Sequence, residues 1–211
     1  MITNPHSRSG APVAIVTGGS RGVGRAVARK LAATDYAVVI SYLNSQPAAD
    51  ASVAEILAAN GTAVAVRADV ADALDVERLF SETIDAFGRV DVVVHAAARM
   101  ILGTVAGYDL QTFDALHRVN ARGTFVVNQQ ASLHLRDGGA IVNCYSSAVG
   151  LALPSYAAYA RELSARNITV NAIALGSEPP TAAPDIANLV AFLVSEDGHW
   201  VNGQVIQAQP G

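Results

Sequence analysis

The sequence predicts an α/β fold of the doubly wound type, with a parallel sheet of about seven strands between two layers of helices. Short apolar runs rich in Val and Ile alternate with periodic helical segments along the whole chain. These runs are continuously apolar, as expected for parallel strands buried on both faces. No repeat shorter than a β-α-β unit interrupts the alternation. The predicted strands are residues 13–17, 37–42, 63–67, 90–95, 140–144, 168–173 and 204–208.

The predicted helices fill the intervals between the strands, and several residues mark their ends. Gly61 and Gly88 stand where a glycine commonly follows the last helical residue. Asp72, with Asp75 three residues later, is typical of a helix start. The predicted helices are residues 22–33, 47–60, 72–87, 109–135, 155–166 and 184–195.

Composition limits the classes of function. The chain has 211 residues, and we expect residues 12–211 to form a single domain after a disordered leader of residues 1–11. Hydrophobic residues make up 51% of the chain and charged residues 15%, which argues against disorder. The formal net charge is −4 without a block of like charges, so nothing favours nucleic acid or an anionic membrane surface as a partner. A charge-free run over residues 138–160 contains polar residues and Pro154, which argues against a transmembrane helix.

Four residue types carry further expectations. Cys144 is the only cysteine, so no disulfide framework exists and a reduced, cytoplasmic setting is expected. No cluster of His, Cys or acidic residues has the spacing of metal ligands, and no metal is predicted. His95 ends a strand and is expected to be packed and hydrogen-bonded rather than catalytic. Trp200 is expected to close the last loop against the sheet.

The first strand leads directly into the glycine-rich stretch TGGSRGVG, residues 17–24. Gly18, Gly22 and Gly24 allow a tight turn and a close approach of the backbone to a pyrophosphate. The helix that follows offers unpaired N–H groups and the positive end of its dipole. An ordinary glycine-rich turn is the alternative, but the position between a strand and a helix near the N-terminus favours dinucleotide binding.

The end of the second strand indicates which dinucleotide binds. Sites for NAD place Asp or Glu about 20 residues beyond the glycines, where it binds the ribose 2′-hydroxyl. Here the stretch ISYLNSQ contains Asn44 and Ser45, and the first acid is Asp50. Arg21, inside the glycine loop, can meet a 2′-phosphate instead, although a solvated loop arginine is the alternative. The sequence therefore favours NADP(H), with NAD(H) left open.

These motifs, in this order, resemble the short-chain dehydrogenase/reductase family over nearly the whole chain, and they resemble its NADP(H)-preferring, 3-oxoacyl reductase-like members in particular. TGGSRGVG matches the TGxxxGxG loop of this Rossmann-type family, and ADV ends the third strand. VHAAA, residues 94–98, stands where the family has a VNNAG-like stretch, with Ala96 and Ala98 in place of its Asn and Gly. VNARGTF, IVNCYSS and NITVNAIALG match later family motifs, with Leu175 in place of a proline.

The resemblance implies a cofactor site in which Asp69 contacts adenine and Val70 lines the adenine pocket. The cofactor-binding residues it implies are Gly18, Gly19, Ser20, Arg21, Gly22, Val23, Gly24, Asn44, Ser45, Asp69, Val70, Ala96, Ala97, Ala98 and Gly176. It also implies a homodimer or homotetramer and a small-molecule carbonyl or alcohol substrate, whose identity the sequence leaves open.

The resemblance further implies hydride transfer assisted by a tyrosine that moves a proton and a serine that holds the substrate oxygen. Tyr159 matches the tyrosine, and Ser146, thirteen residues earlier, matches the serine, with Ser147 as the alternative. Asn120 matches the asparagine that holds a water, and Tyr156 would lie near the substrate. Without the resemblance, aromatic packing at a helix start explains the tyrosines and polar loop capping explains the serines.

The lysine that the family places four residues after the tyrosine is missing. Its charge normally lowers the tyrosine pKa from about 10. Lys30 is the only lysine in the chain and belongs to the first helix. Compared with the family, about 14 residues, close to four helical turns, are absent after Tyr159, and the substrate-covering loop is shortened after Gly176. Arg161, two residues after Tyr159, points away from the face of the tyrosine and is a poor substitute.

Three interpretations follow. In the first, the chain is an NADP(H)-dependent oxidoreductase and the two segments are absent only from the sequence as written. In the second, the chain is a truly shortened variant that binds nucleotide as a regulatory module or pseudoenzyme with little catalysis. In the third, it acts mainly as an assembly subunit. The positions of the two gaps, both at the active site, favour the first interpretation.

Overall fold

The structure is a computed structural model that describes residues 10–101, 104, 107, 109–146, 153–175 and 183–208. For Ser146 and residues 153–157 it describes the backbone only. Residues 1–9 of the predicted leader lie outside the described residues, so the leader stays a prediction.

The seven predicted strands form one parallel sheet in the order β3-β2-β1-β4-β5-β6-β7, which confirms the predicted fold class. The chain leaves β1 toward β2 and β3 on one side and returns through β4 on the other, so the strand order reverses between β1 and β4. Ligands of doubly wound sheets bind at this reversal, outside the carboxyl ends of the strands. The strands are β1 Val13–Thr17, β2 Ala37–Tyr42, β3 Thr62–Arg67, β4 Val92–His95, β5 Ala140–Ser146, β6 Thr169–Leu175 and β7 Val205–Ala208.

Helices cover both faces of the sheet. They are α1 Gly22–Ala32, α2 Gln46–Ala58, α3 Ala73–Phe87, α4 Leu110–His117, α5 Gly123–His134, α6 Leu153–Leu163 and α7 Ala183–Leu193. On one face, residues of α3, α5 and α6, such as Phe80, Val127 and Leu163, form a core with alternate strand residues. On the other face, residues of α1 and α7, such as Leu31 and Val190, form a second core. Burial of these apolar faces is the main force that holds the helices on the sheet.

The helical segment predicted over residues 109–135 is confirmed, because the backbone is helical from Leu110 to His134, but it is not a regular α-helix throughout. A π-helical turn, Arg118–Arg122, separates α4 from α5. The hydroxyl of Thr124 donates a 2.7 Å hydrogen bond to the carbonyl oxygen of Asn120 in this turn. Such back-bonding by threonine competes with the regular ladder of helical hydrogen bonds, and π-turns are frequent at functional sites.

The short connection between β5 and β6 closes without disturbing the sheet. Helix α6 has 11 residues and is about 17 Å long at 1.5 Å per residue. A 3-10 turn, Ser164–Arg166, then leads back to β6. Strands β5 and β6 pair in register over seven residues, from Ala140 opposite Thr169 to Ser146 opposite Leu175. A helix of this length is therefore enough to complete the crossover that the sequence requires.

The last loop differs from its prediction. Trp200 is 79% exposed and does not close the loop against the sheet. Its neighbour Val201 is buried in the core instead. The loop is fixed by side-chain amides, because Asn202 accepts a hydrogen bond from the backbone of Val170 and Asn171 donates one to the carbonyl oxygen of Val201.

No helix among the described residues is long and apolar enough to cross a membrane. The interpretation of the charge-free run over residues 138–160 stays a prediction. Residues 147–152 of that run lie outside the described part of the chain.

Candidate active site

The glycine loop brings three stretches of backbone into close contact. Gly18 has a φ of +68°, and a Cβ added there would lie 2.8 Å from the Cα of Ala97. A Cβ on Gly24 would collide with the carbonyl oxygen of Gly18. Side chains at these two positions would thus fill the space that lets the loop fold against the end of β4 and the start of α1. The close packing explains why glycine is needed at these two positions, and the predicted binding of a pyrophosphate here stays a prediction.

The N-terminus of α1 is left open for an anion. The residue before the helix, Arg21, has an extended backbone, with φ −157° and ψ 169°, and its side chain makes no capping hydrogen bond within the described part of the chain. Helix α3, by contrast, is capped by Asp72, whose carboxylate accepts hydrogen bonds from Leu74 and Asp75. An uncapped first turn offers N–H donors and a positive dipole end to a phosphate.

Thr17 and His95 connect the ends of β1 and β4 beneath this loop. Their side chains meet at 2.8 Å, between Oγ1 of Thr17 and Nδ1 of His95. The Thr17 hydroxyl also accepts a hydrogen bond of 3.3 Å from the backbone N–H of Ala97. His95 is buried, and burial lowers its pKa to about 4, so its ring is neutral at physiological pH. The expectation of a packed, hydrogen-bonded histidine is confirmed.

Two alanines of the VHAAA stretch shape the same corner. The backbone N–H of Ala96 donates to the carbonyl oxygen of Thr17 at 3.2 Å, which extends the ladder between β1 and β4 by one residue. Ala97 faces Gly18 at the closest approach of the two loops. Ala98, the next residue, is exposed. Their roles toward a cofactor stay predictions.

At the predicted adenine end, Asp69 is held by the protein itself. One carboxylate oxygen accepts a hydrogen bond of 2.9 Å from the backbone N–H of Ala71, and the other lies 2.8 Å from a guanidinium nitrogen of Arg118. Arg122 donates to the carbonyl oxygen of Ala71 at 2.9 Å. The π-turn therefore fixes the loop after β3. An ionised carboxylate has about four acceptor sites, so Asp69 can accept further hydrogen bonds beside these two. Its contact with adenine stays a prediction.

Val70 is mostly covered by the protein. It is 6% exposed and packs against Gly123 at the start of α5, where a Cβ would lie 3.0 Å from a Val70 methyl group. Only a small part of its surface is left for the adenine pocket.

The end of β2 carries no acid and lies beside a basic residue that the sequence analysis missed. Asn44 is exposed, and the Ser45 hydroxyl accepts a 3.4 Å hydrogen bond from the N–H of Ala48, which caps α2. Arg67 lies opposite Tyr42 in the sheet, and its Nε donates to the carbonyl oxygen of Leu43 at 3.2 Å. The strand register gives the signal that could have found Arg67, because β2 and β3 end side by side.

Asn120 acts as a clamp between the π-turn and the segment after β4. Its amide oxygen accepts a hydrogen bond of 2.9 Å from the N–H of Arg99, and its amide nitrogen donates one of 2.7 Å to the carbonyl oxygen of the same residue. Both polar atoms of the side chain are thereby engaged. The predicted role of Asn120 in holding a water stays a prediction.

The remaining catalytic candidates lie at the carboxyl end of β5 and in α6. Tyr159 is half-buried and packs against the core formed by α3, α5 and α6. Burial raises the pKa of its phenol, and the negative charge of Glu162, one turn further along α6, raises it again. Ser146 ends β5, but its side chain is not described, and the Tyr156 side chain, Ser147 and Gly176 also lie outside the described parts.

A buried amide pair supports the site from behind. Asn128 of α5 and Asn143 of β5 exchange two hydrogen bonds, of 2.9 and 3.1 Å, between their side chains. Asn143 lies opposite His95 in the sheet. The pair joins α5 to the sheet close to its carboxyl end, and the two amides satisfy each other in a region without solvent. The sequence alone predicts no role for either residue.

Neither a reactive thiol nor a metal site is found among the described residues. Cys144 is buried, and burial raises the pKa of its thiol to about 12, so it stays a thiol at physiological pH. Within the described ranges, no three His, Cys, Asp or Glu side chains come together as a metal site would require.

Comparison with known proteins identifies the family. The profile described as short chain dehydrogenase matches residues 12–183. The chain belongs to the short-chain dehydrogenase/reductase family. It shares with that family the NAD(P)-binding fold and the class of oxidoreductases, and the 3-oxoacyl reductase likeness expected from the motifs has no support among these comparisons.

Three similar proteins span nearly the whole chain. An uncharacterised oxidoreductase of Methylorubrum extorquens is 34% identical over 239 residues, covering 94% of this chain and 96% of the relative. The crystal structure of a short chain dehydrogenase from Burkholderia cenocepacia in complex with NADP is 32% identical, with a TM-score of 0.89 over 97% of this chain and 99% of the other. A blue fluorescent protein from a metagenomic library in complex with NADPH is 30% identical, with a TM-score of 0.85 over 94% and 96%.

The alignment with the Methylorubrum oxidoreductase also contains unmatched positions. It runs over 239 residues, to which 94% of a 211-residue chain contributes about 198, so about 41 positions have no counterpart in this chain. This short-chain dehydrogenase/reductase is thus shorter than its relative inside the matched region.

Proposed function

We propose that this chain is an NADP(H)-dependent oxidoreductase that reduces a small carbonyl compound to a secondary alcohol. The open N-terminus of α1 above the Thr17–His95 connection is the observation that carries the proposal. Bound NADPH supplies the hydride, and the corresponding oxidised form accepts it in the reverse direction. All other steps fall to the residues of the chain itself.

The preference for NADP(H) rests on charge at the end of β2. The segment after β2 has no carboxylate before Asp50, so the acidic residue with which NAD sites bind the ribose 2′-hydroxyl is missing there. Arg21 and Arg67 are exposed, and the latter is bonded to the backbone of Leu43. Arg67 beside this segment and Arg21 in the glycine loop favour a 2′-phosphate, since arginine binds phosphate through several parallel hydrogen bonds. The Burkholderia relative in complex with NADP and the metagenomic relative in complex with NADPH support this preference.

The state of Tyr159 favours reduction over oxidation. Its pKa is raised, first by burial and then by Glu162, so the phenol keeps its proton at physiological pH. A protonated phenol can donate to the oxygen of a carbonyl as hydride arrives at the carbon. Alcohol oxidation needs the phenolate, which is scarce without a neighbouring cation. Ser146, at the end of β5, holds the substrate oxygen in this proposal.

The proposal includes a cytoplasmic homodimer or homotetramer. Helices α4 and α5 expose several large apolar side chains, and where such side chains form a contiguous patch they mark an interaction surface. These side chains are Leu110, Phe113, Phe125 and Leu133.

A second candidate function is a nucleotide-binding module with little catalysis. The single lysine, Lys30, lies in α1, and no other lysine is available to supply the charge that would lower the pKa of Tyr159. Since Glu162 raises that pKa instead, slow proton transfer favours this alternative.

Consumption of NADPH in the presence of ketones with apolar bodies separates the two candidates. The mass of the purified chain is first compared with 21.8 kDa, so that a longer protein carrying extra segments is recognised. The oxidoreductase consumes NADPH only when a ketone is present, and Tyr159→Phe abolishes this consumption. If NADPH binds but no ketone in a broad panel is reduced, the nucleotide-binding module is the correct function.

A further inference from the structure

A cavity of about 400 Å³ lies between α1, α2 and α7, away from the cofactor loop. The C-terminal half of α1 forms one wall, from Ala26 to Ala33. Helix α1 has 11 residues, so this wall lies up to about 16 Å from the glycine loop at its other end. Its near end, Ala26, is only two residues after Gly24, but no residue of the glycine loop lines the cavity, so the two places differ in their lining.

Small side chains leave this space open, and most of its lining is apolar. They come from all three sides, since α1 contributes Ala26 and is followed by Ala33, α2 is followed by Ala59, and α7 contributes Ala187. Ile56 forms part of the floor and is almost fully buried. Volume and lining match those of pockets for small ligands, which are mostly apolar and carry few polar groups.

The polar groups at this cavity are mainly positive. Arg29 and Lys30 line it together with Glu55. Glu55 is already paired with Arg25, which binds both of its carboxylate oxygens, and it lies 3.8 Å from a guanidinium nitrogen of Arg29. Lys30 forms no ion pair with any described residue. Two cations and one acid thus line the cavity, and the acid is already paired with Arg25, on a chain whose formal net charge is −4.

We propose that this cavity binds a small amphiphilic carboxylate, with its hydrocarbon body between α1, α2 and α7 and its carboxylate at Arg29 and Lys30. The excess of positive charge selects an anion, because an anion adds favourable pairs that a neutral or cationic ligand lacks. The apolar lining selects a hydrocarbon body over a hydrated inorganic ion. The proposal does not depend on nucleotide binding or on catalysis.

Calorimetric titration of the full chain with octanoate tests this site. We expect saturable binding that is unchanged by saturating NADPH. Removing both cations in Arg29→Gln/Lys30→Gln should weaken binding by up to about 25-fold, since each exposed pair contributes up to about fivefold. Arg136→Gln removes one exposed arginine outside the cavity, and its affinity for octanoate should equal that of the unaltered chain. Octylamine, with the same hydrocarbon chain and the opposite charge, should not bind.

A second readout uses the unaltered chain. Because Lys30 is the only lysine, an amine-acylating reagent modifies one side chain, which peptide mass spectrometry distinguishes from the terminal amine. Octanoate should slow acylation of Lys30 and leave that of the terminus unchanged, and acetate at equal concentration should have no effect. Absence of saturable binding, equal affinity in the double variant, equal binding of octylamine, or unprotected Lys30 would each overturn the proposal.

Discussion

The Oγ1 atom of Thr17 lies 2.8 Å from Nδ1 of His95, and this contact joins β1 to β4 where the strand order reverses. It stands directly beneath the loop that we expect to hold the pyrophosphate. The Thr17 hydroxyl also accepts a hydrogen bond from the backbone N–H of Ala97. One threonine therefore sets the positions of both strand ends and of the backbone that faces Gly18. The stability of this corner and the binding of nucleotide are therefore expected to change together.

His95 should make folding stability depend on pH. Its folded pKa is about 4, below the value of 6.5 for an exposed histidine, so between these values the unfolded chain binds a proton that the folded chain does not. Stability is then full above pH 6.5 and falls as pH drops toward 4, by at most about 3 kcal/mol. Urea unfolding across this range should show a steeper loss for the unaltered chain than for His95→Asn. Parallel curves would contradict the assignment.

Gly24 should be essential for the glycine loop, and Gly22 less so. Gly24→Ala brings a Cβ against the carbonyl oxygen of Gly18, so we expect NADPH affinity to fall by about tenfold or more, since a misplaced loop loses at least one charge-assisted hydrogen bond. Gly22 has a φ of +54° but open space around it, so Gly22→Ala is strained by about 1 kcal/mol without a collision, whereas a bulkier residue there should abolish binding by covering the phosphate.

A matched control exists for these glycines. Gly88 ends α3 with a φ of +79° and has no atom near an added Cβ. Gly88→Ala should lower stability by a similar amount and leave NADPH affinity unchanged. Fluorescence titration with NADPH measures the affinities, and tight binding by the Gly24 variant would remove our assignment of the phosphate loop.

Arg21 and Arg67 should discriminate between the two dinucleotides. We expect Arg21→Gln and Arg67→Gln each to weaken NADPH by about tenfold, because a charge-assisted hydrogen bond contributes about 1.5–3 kcal/mol when formed well and less at an exposed site. The affinity of both variants for NADH should equal that of the unaltered chain within experimental error, since NADH lacks the 2′-phosphate. Arg136→Gln again serves as the control. Equal losses for both dinucleotides would show that these arginines act on the fold and not on the phosphate.

The charge at position 162 should move the pH dependence of alcohol oxidation. Oxidation needs the Tyr159 phenolate, whose pKa is raised by burial and by Glu162, so the rate should still be rising at pH values near about 10. Glu162→Gln removes one cause, and Glu162→Lys reverses its sign, so the rise should shift progressively to lower pH. Glu196→Lys makes the same change of charge far along the chain and should leave the profile unaltered. A profile identical in all four proteins would exclude Tyr159 as the base.

Sequence alone predicted the sheet because each strand is a short, continuously apolar run, and parallel strands need that pattern. The register between β2 and β3 could not be predicted from the sequence. Arg67 was therefore not recognised as a neighbour of the end of β2, although it ends a predicted strand. The π-turn was also missed, because the periodicity of a sequence does not show where a helix changes from α-type to π-type hydrogen bonds. Trp200 was misjudged for a similar reason, since Val201 and Asn202 anchor the loop and leave the larger side chain exposed.

The parts of the site that are formed by backbone could be predicted from the sequence. The parts that depend on hydrogen bonds between side chains could not. Gly18 and Gly24 could be predicted from the sequence because a side chain at either position would collide with neighbouring backbone. The partners of Asp69 are not, because Arg118 comes from a π-turn that no periodicity reveals. Asn120 illustrates the same limit, since its amide is occupied by the backbone of Arg99, a residue 21 positions away.

Equilibrium titration of the full chain, its mass matched to 21.8 kDa, with NADPH and NADH tests the central claim most directly. The open α1 N-terminus, the acid-free end of β2 and the two arginines predict saturable binding of NADPH, at least about tenfold tighter than that of NADH. Absence of saturable NADPH binding, or tighter binding of NADH, would contradict the account.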